Sequence, residues 1–237
     1  MTTNKEQLDR VFELRAMGSA PRHIARAVGL RPAEVSALLR KAAKERGVEA
    51  GPGPLVGCWV SPGWASGLTI HGHSDWPGLD YDDLASSGLA AVLVARRDRH
   101  NKVSTCGYLV DVYCLGVKNV LGPRVLDDHE FVSLRRSFFG AYEAEPLAAP
   151  LDLAQHLVFG AVDFARGLGF EPHADYADAT GHLGVASGPW DIEFGRDGKP
   201  FFIQGPFDDP RRIMGSLNSA IGRSNYHFLM PVGPSGA

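Results

Sequence analysis

The hydrophobic pattern beyond about residue 55 indicates a mixture of strands and helices. A continuous apolar run at 89–95 predicts a buried strand, and 103–114 predicts a long strand antiparallel to it. A further hairpin is expected from strands at 190–194 and 200–204 around a Gly-rich turn at 195–198. The remaining predicted elements are helices at 127–142, 151–168 and 208–221 and a strand at 226–230. Helices gathered beside hairpins indicate an α+β body.

The first forty residues follow a different pattern, in which small and apolar residues recur at helical spacing. Ala25, Gly29 and Val35 have the spacing of a helix-turn-helix, in which two helices cross around a short turn. Gly29 suits the left-handed conformation that such a turn requires, and Pro32 suits the first turn of a helix. The sequence therefore predicts an all-α, helix-turn-helix head at residues 1–47.

Residues 5–46 resemble the helix-turn-helix of bacterial repressors and of the resolvase and sigma-factor type regulators. The resemblance implies that a helix at 32–46 enters the major groove of DNA. The positions that it places at base edges are Arg31, Ala33, Ser36, Ala37 and Arg40, and those that it places at phosphates are Arg22, Lys41 and Lys44. The alternative is a three-helix interaction module that does not contact DNA.

Charge is distributed unevenly along the chain. Residues 1–47 contain ten basic and five acidic residues, a net charge of +5; the whole chain has −3, which leaves −8 for residues 48–237. A basic segment joined to an acidic body is typical of proteins that bind polyanions. The Gly- and Pro-rich stretch at 48–54 is expected to be a linker between a head at 1–47 and an α+β domain at 55–237.

Composition favours a cytoplasmic protein. The three cysteines are an odd and sparse set, which suits a reducing compartment better than a disulfide framework. No apolar run is long enough for a membrane span, and the first residues lack the apolar core of a signal peptide. We therefore expect no membrane partner.

Several blocks of the body resemble a widespread bacterial protein family of unassigned function. They are the segments 107–119, 168–176, 194–202 and 205–210. The resemblance covers most of residues 89–230. Because no activity is assigned to that family, the resemblance implies a shared fold and no chemistry.

Two histidines form a candidate metal site. If residues 71–73 are extended, His71 and His73 lie on the same face of a strand. Asp75 or His100 would then complete a set of nitrogen and oxygen ligands. The neighbouring Gly and Pro residues are equally consistent with a surface loop.

Asp111 and Lys118 form a candidate polar cleft. An acid between two valines of an apolar strand needs a partner, and Lys118 could supply one or simply form a structural ion pair. Cys114 lacks the sequence context of a catalytic thiol and is expected in the core. We recognise no catalytic motif and expect no cofactor.

These patterns favour a sequence-directed DNA-binding protein, a transcriptional regulator whose body assembles the protein or senses a ligand. A single head binds few base pairs, so a homodimer on double-stranded DNA is expected. The alternatives are a hydrolase or nuclease directed to nucleic acid and a toxin–antitoxin or phage-defence component that acts through a protein partner.

Overall fold

A computed structural model describes residues 10, 11, 14, 21–31, 34, 35, 53–81, 86–98, 100–186 and 188–230. The chain divides into two compact units, Met1–Gly51 and Pro52–Ala237. Each unit is described by itself. In the described part of the chain, no helix is long and apolar enough to span a bilayer.

The described part of the N-terminal unit contains one bounded helix, α1 (Pro21–Val28). Gly29 follows it at φ 71°, and the N–H of Leu30 donates to the carbonyl of Ala25 at 3.0 Å. Ile24 and Val35 are fully buried in a small apolar cluster. A left-handed glycine thus ends the helix.

The predicted all-α helix-turn-helix head is wrong, because the described residues do not show one. Instead, the first extensively described region is strand-rich, and the described residues contain five α-helices with defined bounds beside a five-stranded antiparallel sheet. The spacing of Ala25, Gly29 and Val35 requires only α1, its left-handed glycine and a short helical stretch at residues 34 and 35, and most of the predicted head lies outside the described residues. The α+β class holds for the C-terminal unit.

A five-stranded antiparallel sheet forms the centre of the C-terminal unit, with the order β5-β4-β3-β1-β6. Its strands are β1 (Leu55–Val60), β3 (Leu89–Arg97), β4 (Val103–Asp111), β5 (Gly116–Leu126) and β6 (Leu147–Ala149); β2 (Thr69–Ile70) belongs to a separate pair. The predicted pairing of the strands at 89 and 103 is antiparallel as expected, with Leu93 opposite Gly107.

Helices cover both faces of this sheet. Val92 and Val94 of β3 pack in the same cluster as Leu157 of helix α3 (Leu151–Gly167), whereas Leu93 packs with Phe131 of helix α2 (Asp128–Phe138). Successive strand residues point to opposite faces. β3 is therefore buried on both sides, which explains its continuous apolar run.

Several shorter elements complete the C-terminal unit. They are the helix α4 (Tyr176–Ala179), a 3₁₀ turn (Thr180–His182), β7 (Ile192–Glu193), β8 (Phe201–Ile203), helix α5 (Pro210–Ala220) and β9 (His227–Leu229). The predicted hairpin between 190–194 and 200–204 is wrong. Instead, β7 pairs with β2, and β8 pairs in parallel with β9. The sequence did not indicate these pairings, because the partners are distant along the chain and local turn chemistry cannot identify them. Within residues 188–230, all of which are described, one isolated bridge, between Arg196 and Lys199, closes the turn that connects the two segments.

Candidate metal centre

The pairing of β2 with β7 brings a histidine and an aspartate from opposite ends of the unit together. Ile70 lies opposite Ile192, and the N–H of His71 extends the ladder by donating to the carbonyl of Asp191 at 2.8 Å. Gly72 then turns the chain at φ 74°. Beyond this turn, the His73 side chain reaches the carboxylate of Asp191.

Three side chains converge at this point, and we call His73, His156 and Asp191 the metal cluster. Their potential ligand atoms all lie within 4.8 Å of one another. Asp191 Oδ2 is 2.9 Å from His73 Nε2 and 3.8 Å from His156 Nδ1. The N–H of Asp191 also donates to His156 Nδ1 at 3.0 Å. Helix α3 therefore supplies the second imidazole of the cluster.

The spacing of these atoms fits a small transition-metal ion. A tetrahedral zinc ion bound at about 2.0–2.1 Å separates its nitrogen and oxygen ligands by about 3.3 Å, and the two observed distances lie on either side of that value. The exposed fractions of the side chains are 27% for His73, 17% for His156 and 42% for Asp191. The ligand set is thus sheltered on the histidine side and open to solvent at the carboxylate.

Aromatic rings hold both imidazoles in place. Trp76 is 3% exposed, and its ring stacks on His73 with centroids 4.0 Å apart and planes at 7°. The same indole meets the His156 ring at 5.4 Å and 69°, and Trp190 packs edge-on against His156 at 5.5 Å. These contacts restrict ring rotation, so the ligand positions are largely preorganised.

The sequence prediction for this site identified one ligand of three. His71 does not share a strand face with His73, because β2 ends at Ile70 and Gly72 adopts a left-handed conformation. Instead, His71 is exposed and lies 4.0 Å from Glu193. Among the described residues, the metal cluster is the one group of three that the geometry brings together, and neither Asp75 nor His100 belongs to it.

Sequence reasoning missed His156 and Asp191. His156 is a half-buried polar residue between fully buried leucines at 153 and 157 of α3. A polar side chain in such surroundings needs a partner, and this need was the one feature of the sequence that pointed to His156. Asp191 carried none, because its place at the site depends on the non-local β2–β7 pairing.

Asp111 and Lys118, the residues of the predicted polar cleft, each bond a different partner. Asp111 is 4% exposed, and its Oδ1 accepts hydrogen bonds from the N–H groups of Tyr113 and Cys114 at 3.0 and 2.9 Å. Burial raises the pKa of Asp111 to about 6, although the charge of Lys118 and the backbone hydrogen bonds oppose the rise. Lys118 itself bonds Asp208 at 2.7 Å. The acid therefore caps a turn, while the lysine tethers the 205–208 loop.

The cysteines offer no nucleophile. Cys58, Cys106 and Cys114 are all buried and unpaired. Burial raises the pKa of the first two thiols to about 12 and that of Cys114 as well. Thiolates are the reactive form, so these residues serve the core.

Most of the predicted DNA contacts lie outside the described residues. These are Ala33, Ser36, Ala37, Arg40, Lys41 and Lys44. Arg22 belongs to α1, for which only the backbone is described at that position. Arg31 is exposed and forms an ion pair with Glu34, with 2.7 Å between Nη2 and Oε1. A base edge would have to compete with this carboxylate for Arg31.

Comparison with known proteins adds no relative, since no protein-family model, curated protein or solved structure matches the chain.

Proposed function

We propose that the C-terminal unit binds one divalent metal ion, zinc or a similar ion, at the metal cluster and is a metal-dependent hydrolase. The observation that supports this is the convergence of His73, His156 and Asp191 from three separate segments, with their potential ligand atoms within 4.8 Å. Two imidazoles and one carboxylate are ligands that zinc prefers. Three protein ligands with an open position are typical of catalytic rather than structural zinc sites.

Each residue has a distinct part in this proposal. Asp191 supplies the solvent-facing ligand, and its backbone is fixed by the hydrogen bond from His71. His156 is positioned by α3 and by the rings of Trp76 and Trp190, and its Nδ1 would exchange the hydrogen bond from the Asp191 N–H for the metal, while Trp76 positions His73. When bound, the metal would supply a water molecule of lowered pKa, the usual nucleophile of metal-dependent hydrolysis.

Without metal, the same atoms are joined by hydrogen bonds, so a purely structural network is the competing interpretation. Zinc titration of the metal-stripped full chain, followed by calorimetry and by elemental analysis, separates the two. We expect one zinc ion per chain and an affinity at least about tenfold lower in His156→Gln, since the loss of even a supporting group at a metal site costs about 10–100-fold.

His71→Gln is the matched control. It changes a histidine of the same loop that lies outside the cluster, so zinc affinity should stay within about twofold of wild type. The proposal fails if wild type binds no zinc, or if both variants weaken zinc binding equally.

Hydrolysis is tested separately, with activated ester and phosphodiester substrates and with supercoiled DNA. Zinc-dependent turnover that disappears in Asp191→Asn supports a hydrolase. A chain that binds zinc stoichiometrically and hydrolyses none of the activated substrates contradicts the catalytic part of the proposal.

A second candidate function is binding of duplex DNA by the basic N-terminal segment, with the body as an assembly or sensing domain of a cytoplasmic regulator. The net charge of +5 over residues 1–47 supports it, and so do the three unpaired buried cysteines, which suit a reducing compartment. Affinity should fall steeply with salt, because phosphate neutralisation releases counterions. A shallow salt dependence, or unchanged affinity in Lys41→Gln, would count against it.

The homodimer belongs to this second proposal. Light scattering of the full chain, with and without duplex DNA, tests it. A chain that is monomeric in both conditions refutes dimerisation.

A further inference from the structure

A rigid aromatic side chain borders the metal cluster on the α3 side. Trp190 directly precedes Asp191, and its ring meets His156 at 5.5 Å and 82°. The ring lies close against α3, since a Cβ added at Gly160 would be 3.1 Å from Trp190 Cγ. Phe159 stacks against it at 6.1 Å and 30°. The indole is half-buried, so it is held in place while part of its surface remains open to solvent.

A carboxylate fixes the polar edge of this indole. The Trp190 N–H donates to Asp163 Oδ2 at 2.8 Å, and Asp163 is exposed. Asp191, a ligand of the metal cluster, follows Trp190 directly in the chain. We call Trp190 and Asp163 together the Trp190 platform.

The surroundings of the platform favour positive charge in a ligand. The basic residue one turn further along α3, Arg166, is engaged by Glu171 at 3.1 Å, and residues 48–237 carry a net charge of −8. The face of an indole is electron-rich and attracts ammonium and guanidinium groups, more strongly than the faces of Tyr or Phe do. An anionic ligand would instead meet Asp163 and the overall charge of the unit.

We propose that the Trp190 platform is a subsite for a cationic group, an alkylammonium or a guanidinium, carried by the substrate of the metal cluster. The inference that the cation is part of a substrate rests on the proposed hydrolase function. The binding of a cation at Trp190 can nevertheless be measured without metal. The subsite lies beside His156, so a cation held there would lie next to the metal cluster.

The test compares choline with its neutral isostere 3,3-dimethyl-1-butanol on the metal-free full chain, with the indole N–H resonance of Trp190 as the reporter. A cation–π contact at an exposed site corresponds to an affinity ratio of about two- to fivefold. Choline should therefore bind about two- to fivefold more tightly than the alcohol. Trp190→Leu, followed by ligand-observed NMR, should abolish this preference.

Two further variants complete the design. Asp163→Asn keeps an acceptor for the indole and removes the charge, so it should reduce the preference without disturbing the fold. Trp59→Phe is the matched control, because Trp59 contacts Phe131 and Arg135 rather than the metal cluster, and it should leave the preference unchanged.

The inference is overturned if the alcohol binds as tightly as choline, or if Trp190→Leu and Asp163→Asn both retain the preference. Zinc binding is measured independently. A preference for choline without zinc binding supports the cation subsite and contradicts the proposed hydrolase function. Zinc binding without a preference for choline contradicts the subsite alone.

Discussion

Replacing the buried Asp111 with asparagine should change how the stability of the C-terminal unit depends on pH. Asp111 lies at the end of β4 and is 4% exposed. Its Oδ1 accepts two main-chain hydrogen bonds, and an asparagine Oδ1 can accept the same bonds. The substitution therefore removes the negative charge while keeping these two hydrogen bonds and the side-chain volume; any loss of the third main-chain contact, from Leu115, does not vary with pH in the asparagine variant.

The size of the effect follows from the pKa of Asp111, which burial raises to about 6. An unfolded aspartate titrates near pH 3.9, and a difference of about two pKa units corresponds to about 3 kcal/mol. In the unfolded chain the carboxyl ionises near pH 4, whereas in the folded protein it retains its proton up to about pH 6. The wild type is therefore penalised as the pH rises through this window, and the penalty is complete above it.

The assay is urea unfolding of both proteins at intervals between pH 4 and pH 7.5, followed by tryptophan fluorescence. All four tryptophans lie beyond residue 52, so the signal reports on the C-terminal unit. The stability of Asp111→Asn relative to wild type should increase by up to about 3 kcal/mol from pH 4 to pH 7. Other titrating groups are common to both proteins and cancel in this difference.

Lys118→Met provides an internal check, because the charge of Lys118 lowers the pKa of Asp111. Its loss should move the transition in the difference curve to higher pH. Parallel pH profiles for wild type and Asp111→Asn would refute the assignment of a raised pKa to this carboxyl.

Three further predictions concern packing and charge. Arg96→Met should lower the free energy of unfolding by about 2–4 kcal/mol in urea titrations, because the buried guanidinium donates to two main-chain carbonyls at 2.7 and 2.9 Å; a neutral effect would contradict this role. Gly116→Ala should lower the melting temperature, since the φ of Gly116 is 68° and an added Cβ would lie 2.9 Å from a main-chain oxygen of α3. Gly167→Ala is the control and should leave the melting temperature unchanged, because a Cβ there would meet no atom within 4 Å. Glu34→Gln should strengthen DNA binding in gel-shift titrations by freeing Arg31, and weaker binding would argue against a DNA contact by that residue.

The sequence was most informative about elements whose signals are local. The apolar run at 89–95 corresponds to β3, and the helix expected at 151–168 corresponds to α3. β1 and β5 were not anticipated, and the strand expected to continue to residue 114 stops at Asp111. The reason is visible in the structure: Asp111 caps a turn that reverses the chain into β5.

The candidate site was only partly predictable for the same reason. His73 stood out through its spacing from His71, although that spacing pointed to the wrong partner. His156 reaches the site through the packing of α3, and Asp191 reaches it through the β2–β7 ladder, whose partners are more than a hundred positions apart. No local pattern encodes such contacts. The charge asymmetry of the chain, by contrast, is fully visible in the sequence.

X-ray absorption at the zinc edge tests the metal cluster most directly. The zinc-loaded full chain should show nitrogen and oxygen ligands at about 2.0–2.1 Å, with the scattering of two imidazoles and no sulfur. In His156→Gln, one imidazole should remain in any residual bound zinc. Scattering from sulfur at about 2.3 Å, or an unchanged spectrum in His156→Gln, would contradict a zinc site formed by His73, His156 and Asp191.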